Sequence, residues 1–278
     1  MLLHTSQPIP GFVIRGVSAT THTYSVLTPF AMTRTIAFLL LTTVLSCPLP
    51  AAVTESFSQS YPISPTGVLR LENVNGLVEI IGWDKNEVSV EAIKSAPEAE
   101  DLARIHLKIE STPERLSIET EYKKKLLIFG TWRGEVRYTL HVPAALHLER
   151  ISVVNDGIRV RDVTGPIHLK AINSHVDATG LAGPGRFETV NGEISVAYTS
   201  VEKVESLVLR TVNGRCDLTL PKDAPFSVNS KSVNGGVRTD FPIKIEKSGL
   251  AHFRGSLGED GPKIDFGSVN GELVIHQQ

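Results

Sequence analysis

The chain has 278 residues, with 28 Lys and Arg against 30 Asp and Glu; apolar residues make up 41% of it and aromatics only 6%. A charge balance this close to zero gives no electrostatic footprint for nucleic acid, and the length is enough for one large or two modest domains. There are only two cysteines, Cys47 and Cys216, and loss of a leader holding the first would exclude an internal disulfide from the mature chain.

Residues 1–31 lack periodicity and read as an extension outside the folded protein. Met32-Thr33-Arg34-Thr35 then leads into the apolar run Ile36–Leu45 and on to Pro50-Ala51-Ala52. A positive start, a short apolar core and a small-residue cleavage site make 32–52 a signal peptide cleaved near Ala52. The run is too short for a transmembrane helix. Val44-Leu45-Ser46-Cys47 loosely matches a lipoprotein cleavage box, which offers Cys47 as an alternative lipid anchor. The chain is therefore expected in the periplasm, the outer envelope or outside the cell.

Residues 53–145 are strand-rich. Val68–Ile81 contains Val74-Asn75-Gly76, and in Asn86–Ile93 the residues Val88, Val90 and Ala92 alternate inward. Pro97–Ile105, acidic near its start, is the one short helix expected. His106–Glu110, Arg115–Glu121 and Glu135–Val142 read as strands, the last with Val136, Tyr138, Leu140 and Val142 on one face. Lys123-Lys124-Lys125 reads as a solvated strand end.

From 146 to 278 one unit recurs: Val154-Asn155-Asp156-Gly157, Ile172-Asn173-Ser174, Val190-Asn191-Gly192, Val212-Asn213-Gly214, Val233-Asn234-Gly235 and Val269-Asn270-Gly271. Aligned on Asn, the residues four before and three and five after it are mostly apolar, for example Phe187, Ile194 and Val196 around Asn191. Each unit is thus a strand, a corner and a second strand with one side inward. Asn75, Gly76, Asn155, Gly157, Asn173, Asn191, Gly192, Asn213, Gly214, Asn234, Gly235, Asn270 and Gly271 are assigned as structural turn residues, because Asn tolerates a left-handed backbone and Gly has no Cβ to clash.

Such corners fit either an antiparallel β-sandwich built from hairpins or stacked rungs of a β-solenoid. The Asn steps of 18, 18, 22 and 21 residues, followed by 36, which equals two steps of 18, favour the solenoid. Stacking would bring Lys170, Glu188 and Arg210 together as a column of alternating sign. The 240–262 stretch lacks an Asn copy and reads as an irregular rung or a loop covering the end of the stack. Cys216 sits in a slot held elsewhere by Ile, Val and Leu, so it is a core residue.

Ile81-Gly82-Trp83-Asp84, Tyr138-Thr139-Leu140-His141-Val142-Pro143 and the Val-Asn-Gly copies together resemble a bacterial family of exported adhesin-like β-strand-repeat domains of unknown function. The resemblance covers about Ser60 to the C-terminus. It implies a right-handed β-solenoid, often behind a signal peptide or lipid anchor, and supplies no catalytic residues. Asn173, followed by Ser174, and Asn155, followed by Asp156, depart from the pattern, which suggests looser corners there.

No catalytic, cofactor-binding or metal-binding residue is predicted; His168 and His175 lack a third ligand at a suitable spacing, and Gly258-Glu259-Asp260-Gly261 reads as an ordinary turn. The expected role is a non-enzymatic structural or adhesive module of the cell envelope, binding an envelope protein or a glycan, with self-association open. The alternative is a β-helical polysaccharide lyase or hydrolase, which requires Asp177, Asp217 and Arg238 to converge in a cleft.

Overall fold

Alternating apolar residues across short runs, punctuated by Asn and Gly, give almost pure strand. The computed structural model describes residues 52–123, 134–249 and 251–278; the leader, Cys47, Lys124 and Lys125 lie outside them. The first part comprises β1 (Val53–Pro62), β2 (Val68–Asn73), β3 (Val78–Trp83), β4 (Glu87–Ala96), α1 (Ala99–Leu102), β5 (Ile105–Thr112), β6 (Arg115–Tyr122) and β7 (Glu135–Pro143). The repeats supply β8 (His147–Arg161), β9 (Ile167–Leu181), β10 (Gly185–Asn191), β11 (Ile194–Tyr198), β12 (Ser206–Asn213), β13 (Cys216–Leu220), β14 (Phe226–Asn234) and β15 (Val237–Thr239). They are followed by β16 (Lys244–Ser248), β17 (His252–Leu257), β18 (Lys263–Asn270) and β19 (Leu273–Gln277). The 19 strands of the described residues belong to one hydrogen-bonded sheet.

The copies do not close antiparallel hairpins on themselves; each pairs in parallel with another copy. On the side before the Asn the order is β6, β2, β8, β9, β10, β12, β18 and β14. On the side after it the order is β7, β3, β8, β9, β11, β13, β19 and β15. β2 and β3 are thus the first Asn-bearing rung, although Asn75 precedes Asn155 by 80 residues. Antiparallel strands flank the stack: β4 lies on β7 and carries β1, while β5 lies on β6.

The far end differs from the spacing argument. The 36-residue interval after Asn234 is not two further rungs. It contains the antiparallel pair β16–β17, of which β17 lies against β14. The chain then returns, and β18–β19 enters between β12–β13 and β14–β15. Stacking order is therefore 213, 270, 234, and the 240–262 segment covers the Asn234 rung, not the last copy. Every rung carries the same pattern, so periodicity cannot say which copy neighbours which.

The two irregular corners also turn out differently. β8 and β9 run unbroken through Asn155 and Asn173, whereas the strand is interrupted wherever Gly directly follows Asn. Those corners are continuous, not loose.

Inside, rows of one residue per rung fill the core. Leu71, Ile151, Leu169 and Leu209 are fully buried, with Phe187 and Phe266 close to it, and so are Ile158, Ile194, Cys216 and Leu273 on the opposite wall. Burial of each such Leu or Phe contributes about 1.5–3 kcal/mol. Tyr138 is buried with its hydroxyl 2.8 Å from Thr120 Oγ1. Tyr198 is fully buried too, but its hydroxyl finds no hydrogen-bond partner among the described residues. A buried, unpaired hydroxyl costs stability, so Tyr198→Phe is expected to stabilise the protein by about 1 kcal/mol. A loss of stability in urea unfolding would mean that the hydroxyl has a partner after all.

Candidate functional site

Parity along each strand locates the surface that the repeat builds. Positions four and two before the Asn face inward, so the residue just before it faces out with the charged row three before. That outward position is Val or Ile in all seven copies. Val74 and Val212 are 39% exposed, Val269 44% and Val233 67%, and Val154, Ile172 and Val190 are half-buried. In-register strands about 4.8 Å apart line these seven side chains into one aliphatic stripe about 29 Å long.

Beside the stripe the seven asparagines form a single chain of amides. Asn75 Nδ2 donates to the Gly134 carbonyl at 3.0 Å. Asn155 donates to Asn75 Oδ1 at 2.7 Å, Asn173 to Asn155 at 3.5 Å, Asn191 to Asn173 at 3.1 Å and Asn213 to Asn191 at 2.8 Å. Asn270 then donates to Asn213 and Asn234 to Asn270, both at 2.8 Å. The order of the amides follows the stack and not the sequence.

This changes the reason for the Asn. Among the described residues only Asp156, Asp162 and Asp260 are non-glycine residues with positive φ, so none of the seven Asn is left-handed. Asn is used for its side chain, which both donates and accepts along the stack. The Gly that follows serves close approach: a Cβ on Gly214 would stand 1.8 Å from the Gly192 carbonyl oxygen. Two corners are clearly left-handed, at Gly76 with φ 107° and at Asp156, next to Asn155, with φ 88°, and they are joined where the Gly76 N–H donates to Asp156 Oδ2 at 2.7 Å.

Hydroxyls two before the Asn support the corner from inside. Ser232 and Ser268 Oγ are 2.7 Å apart, Ser268 Oγ donates to the Gly271 carbonyl at 2.8 Å, and Thr189 Oγ1 donates to Ser174 O at 3.1 Å. Replacing one amide by a carboxylate removes a donor and sets two acceptors face to face. Asn213→Asp is therefore expected to cost about 1 kcal/mol at pH 7. Facing Asn191 Oδ1 raises the introduced carboxyl's pKa in the folded state, so the deficit shrinks at pH 4, where protonation restores a donor. Equal deficits at pH 4 and pH 7 in urea unfolding would argue against the amide chain.

The charged rows flank this corner. The register places Lys170, Glu188 and Arg210 on successive rungs, as expected. Glu188 instead pairs with Arg186, and with His168 at 3.5 Å. Burial pushes the Glu188 carboxyl up, but Arg186 and His168 outweigh it and hold it below the usual carboxylate range. His168 and His175 occupy the two halves of β9, on either side of the corner. Arg210 lies over Gly267, whose missing side chain leaves it room.

On the other wall Arg159 stands between Glu79 at 3.8 Å and Asp177 at 3.7 Å. Ser195 separates Asp177 from Asp217, and Val274 separates Asp217 from Arg238. Asp177, Asp217 and Arg238 therefore stand apart along an open wall. Asp217 is engaged by Arg215 at 2.7 Å and by His276 Nε2 at 3.1 Å, while His276 Nδ1 lies 3.2 Å from Asp240. Trp83, in the Ile81–Asp84 motif, is fixed by its Nε1 donating to Glu87 O at 2.9 Å, with the Lys85 ammonium 4.6 Å over its ring.

Among the described residues no three His, Cys, Asp or Glu side chains are grouped to hold a metal ion, and no helix is long and apolar enough to cross a membrane. No protein-family model matches the sequence, and no curated protein does. Solved structures with some likeness include a provisionally named cell adhesion protein of Clostridium sporogenes ATCC 15579, at 12% identity and a TM-score of 0.42 over 81% of this chain and 100% of that one. A provisionally named adhesin of Bacteroides fragilis NCTC 9343 has 10% identity and a TM-score of 0.32 over 81% and 97% of the two chains. A provisionally named lipid binding protein of Parabacteroides distasonis ATCC 8503 has 10% identity and a TM-score of 0.29 over 81% and 97%. At TM-scores below 0.5 these likenesses identify neither family nor activity.

Proposed function

We propose that this chain is an exported, non-enzymatic, adhesin-like interaction module of the bacterial cell envelope. In this reading 32–52 is its signal peptide, and the stacked units wind as a right-handed β-solenoid. The stripe of Val and Ile beside the amide chain is its contact surface, and the partner is an envelope protein or glycan. One observation carries the proposal: an outward position is aliphatic on every rung. Solvent-facing strand positions ordinarily tolerate polar residues, as the charged row two residues earlier does here. A continuous exposed apolar strip is a feature of surfaces that bind something. The neighbouring amides add hydrogen-bonding capacity at a spacing of about 4.8 Å, which suits an extended polymer or strand.

The test is co-sedimentation of the purified protein with bacterial envelope fragments. Val190→Thr, Val212→Thr and Val269→Thr together keep the side-chain shape and strand preference while making the stripe polar. Binding is expected to fall at least tenfold, with little change in the unfolding midpoint. Unchanged binding by the triple variant would rule out the stripe as the contact surface. A parallel variant with Arg159, Lys170 and Arg210 changed to Ser tests the charged rows instead.

A further inference from the structure

The rung that completes the stack is the last one along the chain, and it lies between two rungs made before it. We propose that the slot between β12–β13 and β14–β15 is a strand-acceptor site, and that a second copy of this chain fills it with its own β18–β19 by reciprocal exchange. This inference is independent of the binding role proposed above.

The slot is specific on both sides. β18 pairs in register with β12 and with β14, and β19 with β13 and β15. At the corner the Gly214 N–H donates to the Asn270 carbonyl at 3.1 Å and the Gly271 N–H to the Asn234 carbonyl at 3.0 Å. The Asn270 amide joins those of Asn213 and Asn234, and Ile264, Phe266, Leu273 and Ile275 are at most 1% exposed. Withdrawal of this one segment therefore opens two ladders, the amide chain and the core together. Nothing in those contacts distinguishes the chain's own segment from that of a second copy. Only the effective concentration of the tethered segment favours the closed monomer.

The tether is short and constrained, which is the condition under which exchange between copies occurs. Gly258–Pro262 carries the chain from β17 on one side of β14 to β18 on the other. To do so it places Gly258 at φ 68° and Asp260, a non-glycine residue, at φ 62°. Gly261 passes so close to β14 that a Cβ would stand 2.0 Å from the Pro225 carbonyl oxygen. In an exchanged dimer this crossing straightens and Asp260 is free to leave the left-handed region.

The experiment refolds isotopically light and heavy full-length chains together from urea, over a range of protein concentrations, and weighs the products by native mass spectrometry. Mixed-mass dimers that grow with refolding concentration and persist after dilution are expected. Deleting Glu259 and Asp260 is expected to raise the dimer fraction at least tenfold at equal concentration. A Ser232→Cys chain refolded with a Ser268→Cys chain and then exposed to oxidised glutathione, which accepts the two electrons, is expected to yield a disulfide between the two introduced thiols, which identifies the exchanged segment, since these hydroxyls are 2.7 Å apart. Monomers alone at every concentration, or dimers that fall apart and remix within minutes of dilution, would overturn the proposal.

Discussion

Gly214→Ala is expected to destabilise the protein by about 3 kcal/mol or more, well beyond the ~1 kcal/mol typical of a point substitution. The new methyl would stand 1.8 Å from the Gly192 carbonyl oxygen, which is backbone and cannot rotate away. Relief requires the two corners to part, and that weakens the Gly214–Asn270 and Gly192–Asn213 main-chain bonds on either side, both now 3.1 Å. The adjacent 2.8 Å step in the amide chain would stretch with them. Gly236→Ala is the reference, since a Cβ there meets nothing within 4 Å. Gly236→Ala is expected to lie within about 0.5 kcal/mol of wild type. Similar urea midpoints for the two variants would show that the corners are not packed as closely as described.

Between pH 8 and pH 11 the protein is expected to lose about 6 kcal/mol of stability, a large part of what a domain has. Three fully buried acids are responsible. Burial pushes the Cys216 thiol up to about 12, aided by the nearby Asp217 carboxylate. Burial likewise raises the phenols of Tyr198 and Tyr138, and for Tyr138 the Thr120 hydrogen bond only partly opposes it. In the unfolded chain these groups ionise near their ordinary values of about 8.5 and 10. A folded-state pKa above the unfolded one contributes stability that is complete below the unfolded value and lost as pH rises toward the folded value. Each pH unit above a group's unfolded pKa removes about 1.4 kcal/mol. Tyr122, raised to about 12 chiefly by burial but nearer the surface, adds to the same trend. Cys216→Ala combined with Tyr198→Phe should recover more than half of the loss in urea unfolding at pH 11. A stability that is flat from pH 8 to pH 11 would mean that these groups ionise in the native state.

What the sequence made legible follows from what repeats. Inward rows such as Leu169, Phe187 and Leu209 were readable because alternation and the Asn alignment agree, and so were the alternating strands from β2 to β7, whereas β1, exposed along nearly its whole length, carries no alternation to read. The recurrence of Asn was plain in the sequence, but not its physical role. Reading Asn for its left-handed tolerance overlooks a side chain that can donate upward and accept downward. The outward stripe had a signal in the sequence: Val74 and Val212 are apolar on the parity of Glu72 and Arg210. Stacking order had none. Val233-Asn234-Gly235 and Val269-Asn270-Gly271 are equivalent neighbours for Val212-Asn213-Gly214 as far as pattern goes. What separates them is the Gly258–Pro262 crossing, and that depends on backbone geometry that no spacing encodes.

The amide chain has a direction. Every Asn from Asn234 back to Asn75 points its nitrogen toward the Gly134 end and its oxygen the other way. Seven parallel amide dipoles therefore add head to tail as the peptide units of a helix do, and each polarises the next. The corner is an electrical axis with a negative pole at Asn234. A cation or a hydrogen-bond donor approaching the stack from that end meets a more strongly polarised oxygen than any isolated surface asparagine offers. The same group approaching the Gly134 end is met by the positive pole.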